Sequence, residues 1–349
     1  MEFIQRYIIG QIDFGTLAIL FCLMGVVAGF NELGYIDWLA KKLADSARSV
    51  KMLFMALVMV CFFISMLVTN DVALIIMVPF SIQMLHNLGQ KEKLIKIIVL
   101  ETIAANLGSM LTPIGNPQNV YLYQYYQMNL LEFFKVILPY AIVSLVLLII
   151  VILMDKGSSG VPVEMNLEER ETVVNKKVIK TIVYSALLVL SIFTVLGIVS
   201  HLLTFLIVVV AMACCNYRLF RQINYSLLFK FCILFLLVGN VADIEWISSN
   251  LQKIVSGNEF FCGILLSQFL SNVPTALMLS QFTEAGNALM LGVNVGGLGT
   301  LIASMASMIS LEYYKKTIEA DTKKYVISFS GYNVLFLIVL VILWLLFLY

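Results

Sequence analysis

Charge is scarce in this sequence. Only 12% of its 349 residues are Asp, Glu, Lys or Arg, about half the share of a soluble chain. The 22 basic and 21 acidic residues nearly cancel, to a net charge of +1. No basic excess is left for nucleic acid as a partner. Histidine is nearly absent, with only His86 and His201. The six cysteines (Cys22, Cys61, Cys214, Cys215, Cys232 and Cys262) form no Cys-x-x-Cys pair and sit inside apolar runs. That argues against a zinc site or a disulfide framework, and the thiols read as small buried apolar groups. Six prolines and 20 glycines are too few for a low-complexity chain. No glycine-rich phosphate loop with a lysine is present, which argues against ATP use. There is no His-Glu-x-x-His and no Gly-x-Ser-x-Gly, so no enzyme is expected. The first 30 residues carry Glu2 and Asp13 and lack a small-residue cleavage site, so no removable signal peptide is read.

What fills the sequence is apolar. Hydrophobic residues make up 61%, and the mean hydropathy is +0.98. The excess runs through the whole chain. The lipid bilayer is therefore the main partner, and the expected fold class is an all-α polytopic membrane protein.

Clear spans fall at 14–31, 136–154, 181–199, 202–217, 227–241 and 326–348. Other apolar stretches are interrupted. Runs 52–68 and 72–85 are separated by Thr69-Asn70-Asp71. Runs 260–270 and 276–282 are separated by Ser271-Asn272-Val273-Pro274-Thr275. Run 94–108 leads into Ser109-Met110-Leu111-Thr112-Pro113-Ile114-Gly115-Asn116-Pro117, and 285–295 into Gly296-Gly297-Leu298-Gly299-Thr300. Each short pair is either two poor crossings or a hairpin that dips to mid-bilayer and returns. Unwound backbone at that depth needs protein or a water-filled cavity around it.

Basic residues choose between these. With two re-entrant hairpins and two broken helices that each cross once, the chain crosses about eight times. All of the 22 Lys and Arg except Arg6, Lys135 and Lys253 then fall in loops on one side. The positive-inside rule makes that side cytoplasmic. Both termini are expected outside, in a plasma (inner) membrane. If either pair carried the chain across, every later loop would change side.

The halves match in order. Phe21-Cys22 aligns with Phe231-Cys232 at an offset of 210, Thr69-Asn70 with Ser271-Asn272 at 202, and Leu107-Gly108-Ser109 with Leu298-Gly299-Thr300 at 191. Each unit reads as span, amphipathic segment (35–46 or 243–253), hairpin, broken helix, span. The first inverted repeat is 1–154, with span 14–31, hairpin 52–87, broken helix 94–126 and span 136–154. A cytoplasmic linker covers 155–180. The second repeat is 181–349, with spans 181–199, 202–217 and 227–241, hairpin 258–282, broken helix 285–310 and span 326–348. Five crossings separate the two starts, so the second unit is upside down. Inverted repeats with discontinuous helices meeting at the midplane are how secondary transporters are built.

Thr69-Asn70-Asp71, Asn106-Leu107-Gly108-Ser109, the Thr112–Asn119 loop and Ser271-Asn272-Val273-Pro274-Thr275 resemble the ion transporter superfamily. That superfamily groups divalent anion:sodium symporters, citrate carriers, arsenite permeases and one class of sodium/proton antiporters. The resemblance implies a scaffold (14–31, 181–199, 202–217, 227–241), a mobile hairpin domain moving like an elevator, and a homodimer through scaffold helices. Two departures stand out. The first unit brings fewer scaffold spans than the second. The third tip positions are Asp71 and Val273, where sodium–dicarboxylate carriers have threonine.

The expected substrate site holds Asn70, Thr112, Pro113, Gly115, Asn116, Asn272, Pro274, Thr275, Gly299 and Thr300. Amides and hydroxyls there can serve an oxyanion, and glycine and proline free the backbone around it. Ion coupling is assigned to Thr69, Asn70, Asp71, Glu101, Ser109, Ser271 and Asn272. Sodium at the hairpin tips is the candidate ion, and no other cofactor or metal is expected. Asp71 is the sharpest of these, since a mid-membrane carboxylate costs about 2.5–3.5 kcal/mol on insertion scales. The expected function is secondary transport of a small anion or oxyacid (dicarboxylate, citrate or an inorganic oxyanion), coupled to sodium or protons. The alternative is a sodium/proton antiporter using Asp71. Asn294 and Asn333 are assigned helix contacts only.

Overall fold

The computed structural model describes residues 9–34, 38, 42, 47, 49–155, 174–242, 244–318 and 320–347. Most of the amphipathic segment 35–46, most of the linker 155–180 and both chain ends lie outside the described residues. Among the described residues every regular element is a helix. In chain order these are α1 (Phe14–Glu32), α2 (Val50–Val68), α3 (Asn70–Asn87), α4 (Leu94–Ser109), α5 (Pro117–Tyr125), α6 (Leu130–Leu153), α7 (Val174–Val195) and α8 (His201–Asn216). They continue with α9 (Tyr225–Ala242), α10 (Glu245–Val255), α11 (Glu259–Leu270), α12 (Asn272–Ser280), α13 (Gly286–Val295), α14 (Met305–Lys315) and α15 (Thr322–Phe347).

Six helices are long and apolar enough to cross a membrane: α1, α2, α6, α7, α8 with the turn Tyr217–Gln222 that follows it, and α15. The chain is a polytopic membrane protein. The starts of α1, α2, α5 and α6 are fixed by side chains that accept otherwise unpaired N–H groups. Asp13 Oδ1 accepts from Thr16 N at 3.0 Å. Asn116 Oδ1 accepts from Asn119 N at 2.9 Å, with Pro117 as the first helical residue of α5.

The hairpin tips are tighter than the sequence suggests. Asn70 and Asp71 are not linker residues but open α3, and Asn272 to Thr275 open α12. The turn is made by one residue at each tip. Thr69 has φ 73 and ψ 153, and Ser271 has φ 77 and ψ 153. Non-glycine residues rarely adopt this region, at a cost of about 1–3 kcal/mol each. Pro274 causes no break because it lies in the first turn of α12, where its missing N–H is not needed. The first hairpin is longer than the second, with arms of 19 and 18 residues against 12 and 9.

Two matched pairs of hydrogen bonds hold the tips to the breaks. Asn70 N donates to Gly115 O at 3.2 Å, and Asn272 N to Ala303 O at 2.9 Å. Thr112 Oγ1 donates to Met66 O at 2.5 Å, and Thr300 Oγ1 to Gln268 O at 3.0 Å. The hairpins keep the offset of 202 read from sequence. The broken segments match at 188, not at 191. Leu107-Gly108-Ser109 therefore does not lie opposite Leu298-Gly299-Thr300. Asn106 instead matches Asn294, Gly108 matches Gly296, and Asn116 matches Ser304, which starts α14 as Asn116 starts α5.

Close helix approach explains the matched glycines. A Cβ on Gly108 would collide with the Phe62 carbonyl of α2. One on Gly296 would come within 2.9 Å of the Gly263 carbonyl of α11. Small residues let membrane helices touch backbone to backbone.

The start of α2 and the start of α4 both meet the end of α6. Lys51 Nζ donates to Leu153 O at 2.9 Å. Lys93 and Lys96 pair with Asp155 at 3.0 and 2.9 Å. The chain thus climbs α2 and returns along α3 to the level it left. From there α4 rises 16 residues, about 24 Å at 1.5 Å per residue, to a break that lies beside the tip.

Buried apolar side chains form two clusters. The larger runs through α2 to α6, α9 and α11 to α15. The smaller joins α1, α7, α8 and the turn after α8, through Cys22, Val26, Tyr184, Leu187, Val208 and Met212. Helix α1 contributes to both.

Candidate functional site

The tips and breaks converge on a buried cluster of amides. Asn106 Oδ1 accepts from Asn70 Nδ2 and from Ser304 Oγ, each at 3.0 Å. This one oxygen joins the first tip, the first break and the start of α14. Ala303, next to Ser304, holds the second tip through Asn272 N. Asn294 is the counterpart of Asn106. Its Oδ1 accepts from Asn116 Nδ2 at 2.9 Å, and its Nδ2 donates to Asn119 Oδ1 at 2.6 Å and to Met290 O at 2.8 Å. Asn119 Nδ2 in turn donates to Met110 O and Thr112 O, each at 3.0 Å. Within this cluster, Asn106 Nδ2 and Gln118 Oε1 have no partner among the described residues.

Asn294 is therefore more than a helix contact. Its exchange for leucine removes the nearer acceptor of Asn116 Nδ2, which keeps only Ser109 Oγ at 3.2 Å, and the donor to Asn119 Oδ1; leaving that buried oxygen unpaired costs about 1–3 kcal/mol. Asn294→Leu is expected to lower the thermal midpoint in detergent clearly more than Asn333→Leu. Asn333 bonds only to Phe329 O of its own helix and already has an unpaired Oδ1.

A cavity of about 250 Å³ adjoins this cluster. Thr69, Asp71 and Val72 line it from the start of α3, and Asn116 and Pro117 from the start of α5. Leu20, Met24 and Asn31 of α1 and Gln222, Asn224 and Leu227 around the start of α9 close the opposite wall. Two helix N-termini thus face one space, and N-termini favour anions. The Asp71 carboxylate is half-buried and makes no hydrogen bond or ion pair among the described residues. Lys230 is the cation whose charge reaches it.

The other expected site residues divide clearly. Asn70 and Asn272 sit buried at the two tips, and Gly115 supplies the carbonyl that holds Asn70. Pro113 is buried in the first break. Ser109 Oγ donates to Asn106 O and accepts from Asn116 Nδ2. The Ser271 hydroxyl donates to Asn272 Oδ1 at 3.4 Å, and that of Thr275 to Ser271 O at 2.9 Å. Pro274, Thr275, Asn272, Gly299 and Thr300 do not line the cavity. Glu101 lies apart, deep in α4.

Gln268 went unnoticed in the sequence because it sits in an apolar run. Its Nε2 donates to Gly296 O and Leu298 O, each at 3.0 Å, and its Oε1 accepts from Thr300 N at 2.9 Å. One side chain satisfies the freed backbone of the second break. Gly299, at φ 107, leaves it the room. The matched residue in the first half is Met66, which offers no such amide. No group of His, Cys, Asp and Glu suited to a metal is present among the described residues.

A family model described as CitMHS, citrate transporter, matches residues 1–285. The chain belongs to the CitMHS citrate transporter family. It is similar to the uncharacterized transporter MJ0456 of Methanocaldococcus jannaschii, at 29% identity over 86% of this chain and 81% of that protein. It is 28% identical to the inner membrane protein YbiR of Escherichia coli, over 86% of this chain and 80% of that one. A shorter stretch, 37% of this chain and 26% of the other, is 30% identical to the silicon efflux transporter LSI3 of rice, Oryza sativa subsp. japonica. Membership of CitMHS makes the chain a membrane transporter, not an enzyme, with a small molecule or ion as its cargo.

Proposed function

We propose that this protein is a secondary active transporter for a small anion or oxyacid, such as citrate, a dicarboxylate or an inorganic oxyanion. The observation that carries this reading is the cavity at the N-termini of α3 and α5, walled on its far side by α1 and α9. Positive helix ends and the Asn116 amide suit an oxyanion. Asp71 is the negative group in the same space, so a proton or sodium ion must accompany an anionic substrate. Sodium fits the oxygen-rich surroundings of the tips through Thr69, Asn70, Ser109, Ser271 and Asn272, and no other cofactor is invoked.

The hairpins are re-entrant. The first tip is level with the break in α4–α5, not with the far end of that crossing, and the second hairpin's 12- and 9-residue arms are too short for a core of about 30 Å. The second unit is inverted relative to the first. Helix α1, which contributes to both apolar clusters, lines the cavity, and an elevator would slide its transport body past a scaffold there. The cavity extends to Asn31, Gln222 and Asn224, at the end where Glu32 holds Lys180 and Asn216. With the basic side cytoplasmic, the cavity faces inward, and both termini lie outside a plasma membrane. A homodimer through scaffold helices completes the assembly.

The test is thermal stability of the detergent-purified chain against citrate, dicarboxylates, arsenite and silicate, each with and without sodium. Stabilisation by one anion, strengthened by sodium or by acid, is the expected result. A second reading, the sodium/proton antiporter, is favoured by the unpartnered Asp71 carboxylate. Stabilisation by sodium alone, strongly pH-dependent and indifferent to every anion, would select it.

A further inference from the structure

The cavity ends one helical turn short of a set of side chains that join its two walls. Leu20 of α1 and Val120 of α5 line it. Thr16 lies four residues before Leu20, and Gln124 four residues after Val120. Positions four apart share a helix face, so the two walls meet again at Thr16 and Gln124. The Thr16 hydroxyl is fully buried and is shared by Asp13 Oδ2 at 2.5 Å and Gln124 Oε1 at 3.3 Å. One turn back along α5, the Tyr121 ring packs on Phe235 of α9 with centroids 5.7 Å apart, both rings buried. Tyr125 backs Tyr121 at 5.4 Å. Asn31, near the other end of α1, lines the opposite end of the cavity.

These contacts join two groups of helices that are each fastened more firmly within themselves. The Tyr121 and Ser280 hydroxyls are bonded at 2.9 Å, and the Tyr126 hydroxyl is shared by Ser280 O at 3.2 Å and Thr283 O at 2.9 Å. The end of α5 is thereby bolted to the end of α12. On the other side, the Gln11 side chain covers Gly239 of α9, where a Cβ would collide with it, and Asp13 caps α1. Between the groups, the Thr16–Gln124 contact is longer than the range of about 2.5–3.0 Å usual for O–H···O bonds. The Tyr121–Phe235 ring pair parts without stranding a charge or a donor, because the Tyr121 hydroxyl stays with Ser280. This seam can open while the bonds on either side of it hold.

We propose that Thr16, Gln124, Tyr121 and Phe235 form the outer gate of the cavity, closed in this structure and parted when the cavity turns outward. Thr16 and Phe235 stay with α1 and α9, while Gln124 and Tyr121 leave with α5 and α12. This rests on the transporter reading above, whose cavity must open to each side in turn, and names the contacts that hold it shut on one of them.

The experiment uses the full chain with Leu20→Cys as a reporter in the cavity wall, in right-side-out and inverted membrane vesicles. A membrane-impermeant thiol reagent is added, and the label at residue 20 is read by mass spectrometry, apart from the native cysteines. Ala28→Cys, at a second lining position, serves as an independent reporter. Thr16→Val keeps the size of the side chain and the Asp13 cap on the backbone, and removes the hydroxyl. Labelling from outside should then speed up about two- to ten-fold, the range that loss of one hydrogen bond allows. Labelling from inside should stay level or fall. Gln124→Leu breaks the same contact from the other wall and should act in the same direction, which decides the matter if Thr16→Val fails to fold. Unchanged outside rates in both variants overturn the gate. So does faster labelling from both faces, which marks a loosened fold. Labelling from inside alone in every variant, the unmodified gate included, refutes the alternating exposure on which the gate rests.

Discussion

Asp71→Asn should abolish ion- or pH-dependent stabilisation and cut transport at least about ten-fold, the equivalent of 1.4 kcal/mol, while leaving the protein folded. Folding is spared for structural reasons. Thr69, not Asp71, holds the N-cap position of α3. The Asp71 carboxylate makes no hydrogen bond or ion pair among the described residues. What the substitution removes from the fold is one favourable charge in the first helical turn, worth about 0.3–1 kcal/mol. What it removes from the cavity is its negative group, which faces the same space as two helix N-termini. Melting curves with and without sodium, taken across pH, separate the two effects. A variant that unfolds while the remaining folded fraction keeps its ion response would make Asp71 a structural residue.

Gly108→Ala should be among the most damaging single-methyl changes in the protein. The added Cβ meets the Phe62 carbonyl and the Ser65 hydroxyl. Backbone cannot swing aside as a side-chain tip can, so α2 and α4 must separate. Overpacking of this kind costs about 1–3 kcal/mol, and larger residues should cost more. The separation would also move the break that carries Asn106, Ser109 and Asn116. Gly331→Ala is the control, since a Cβ there meets nothing within 4 Å. Loss of the folded fraction with Gly108→Ala, and a normal melt with Gly331→Ala, is the expected pair. Equal melts would mean that the α2–α4 contact is looser than the geometry requires.

Much of this architecture is legible before any coordinates. Polar triplets inside apolar runs are costly in lipid, so Thr69-Asn70-Asp71 and Ser271-Asn272 mark turns without help from tertiary structure. Glycine and proline after 108 and 295 mark the breaks for the same reason. The internal register is harder to read. Leu-Gly-Ser and Leu-Gly-Thr look alike, but small residues recur throughout membrane helices and align almost anywhere. Hydrogen bonds at Gly115 and Ala303 fix the true offset. Asn294 and Gln268 are opaque for another reason. An isolated amide in an apolar run says nothing about which helix it will meet, and both reach partners on segments far away in sequence. The sequence also cannot show that the tip turns on a single residue, because helix α3 starts at an asparagine that reads equally well as loop.

The two hairpins are fastened to their breaks unequally. Among the described residues, three hydrogen bonds tie the first tip to its break, two made by Asn70 and one by Thr112. Five tie the second: the bond from Asn272, two from Thr300 and two from the Gln268 amide. A molecule that looks two-fold in outline is mechanically lopsided. Under equal thermal agitation, the tip beside Met66 is the one that parts from its break first.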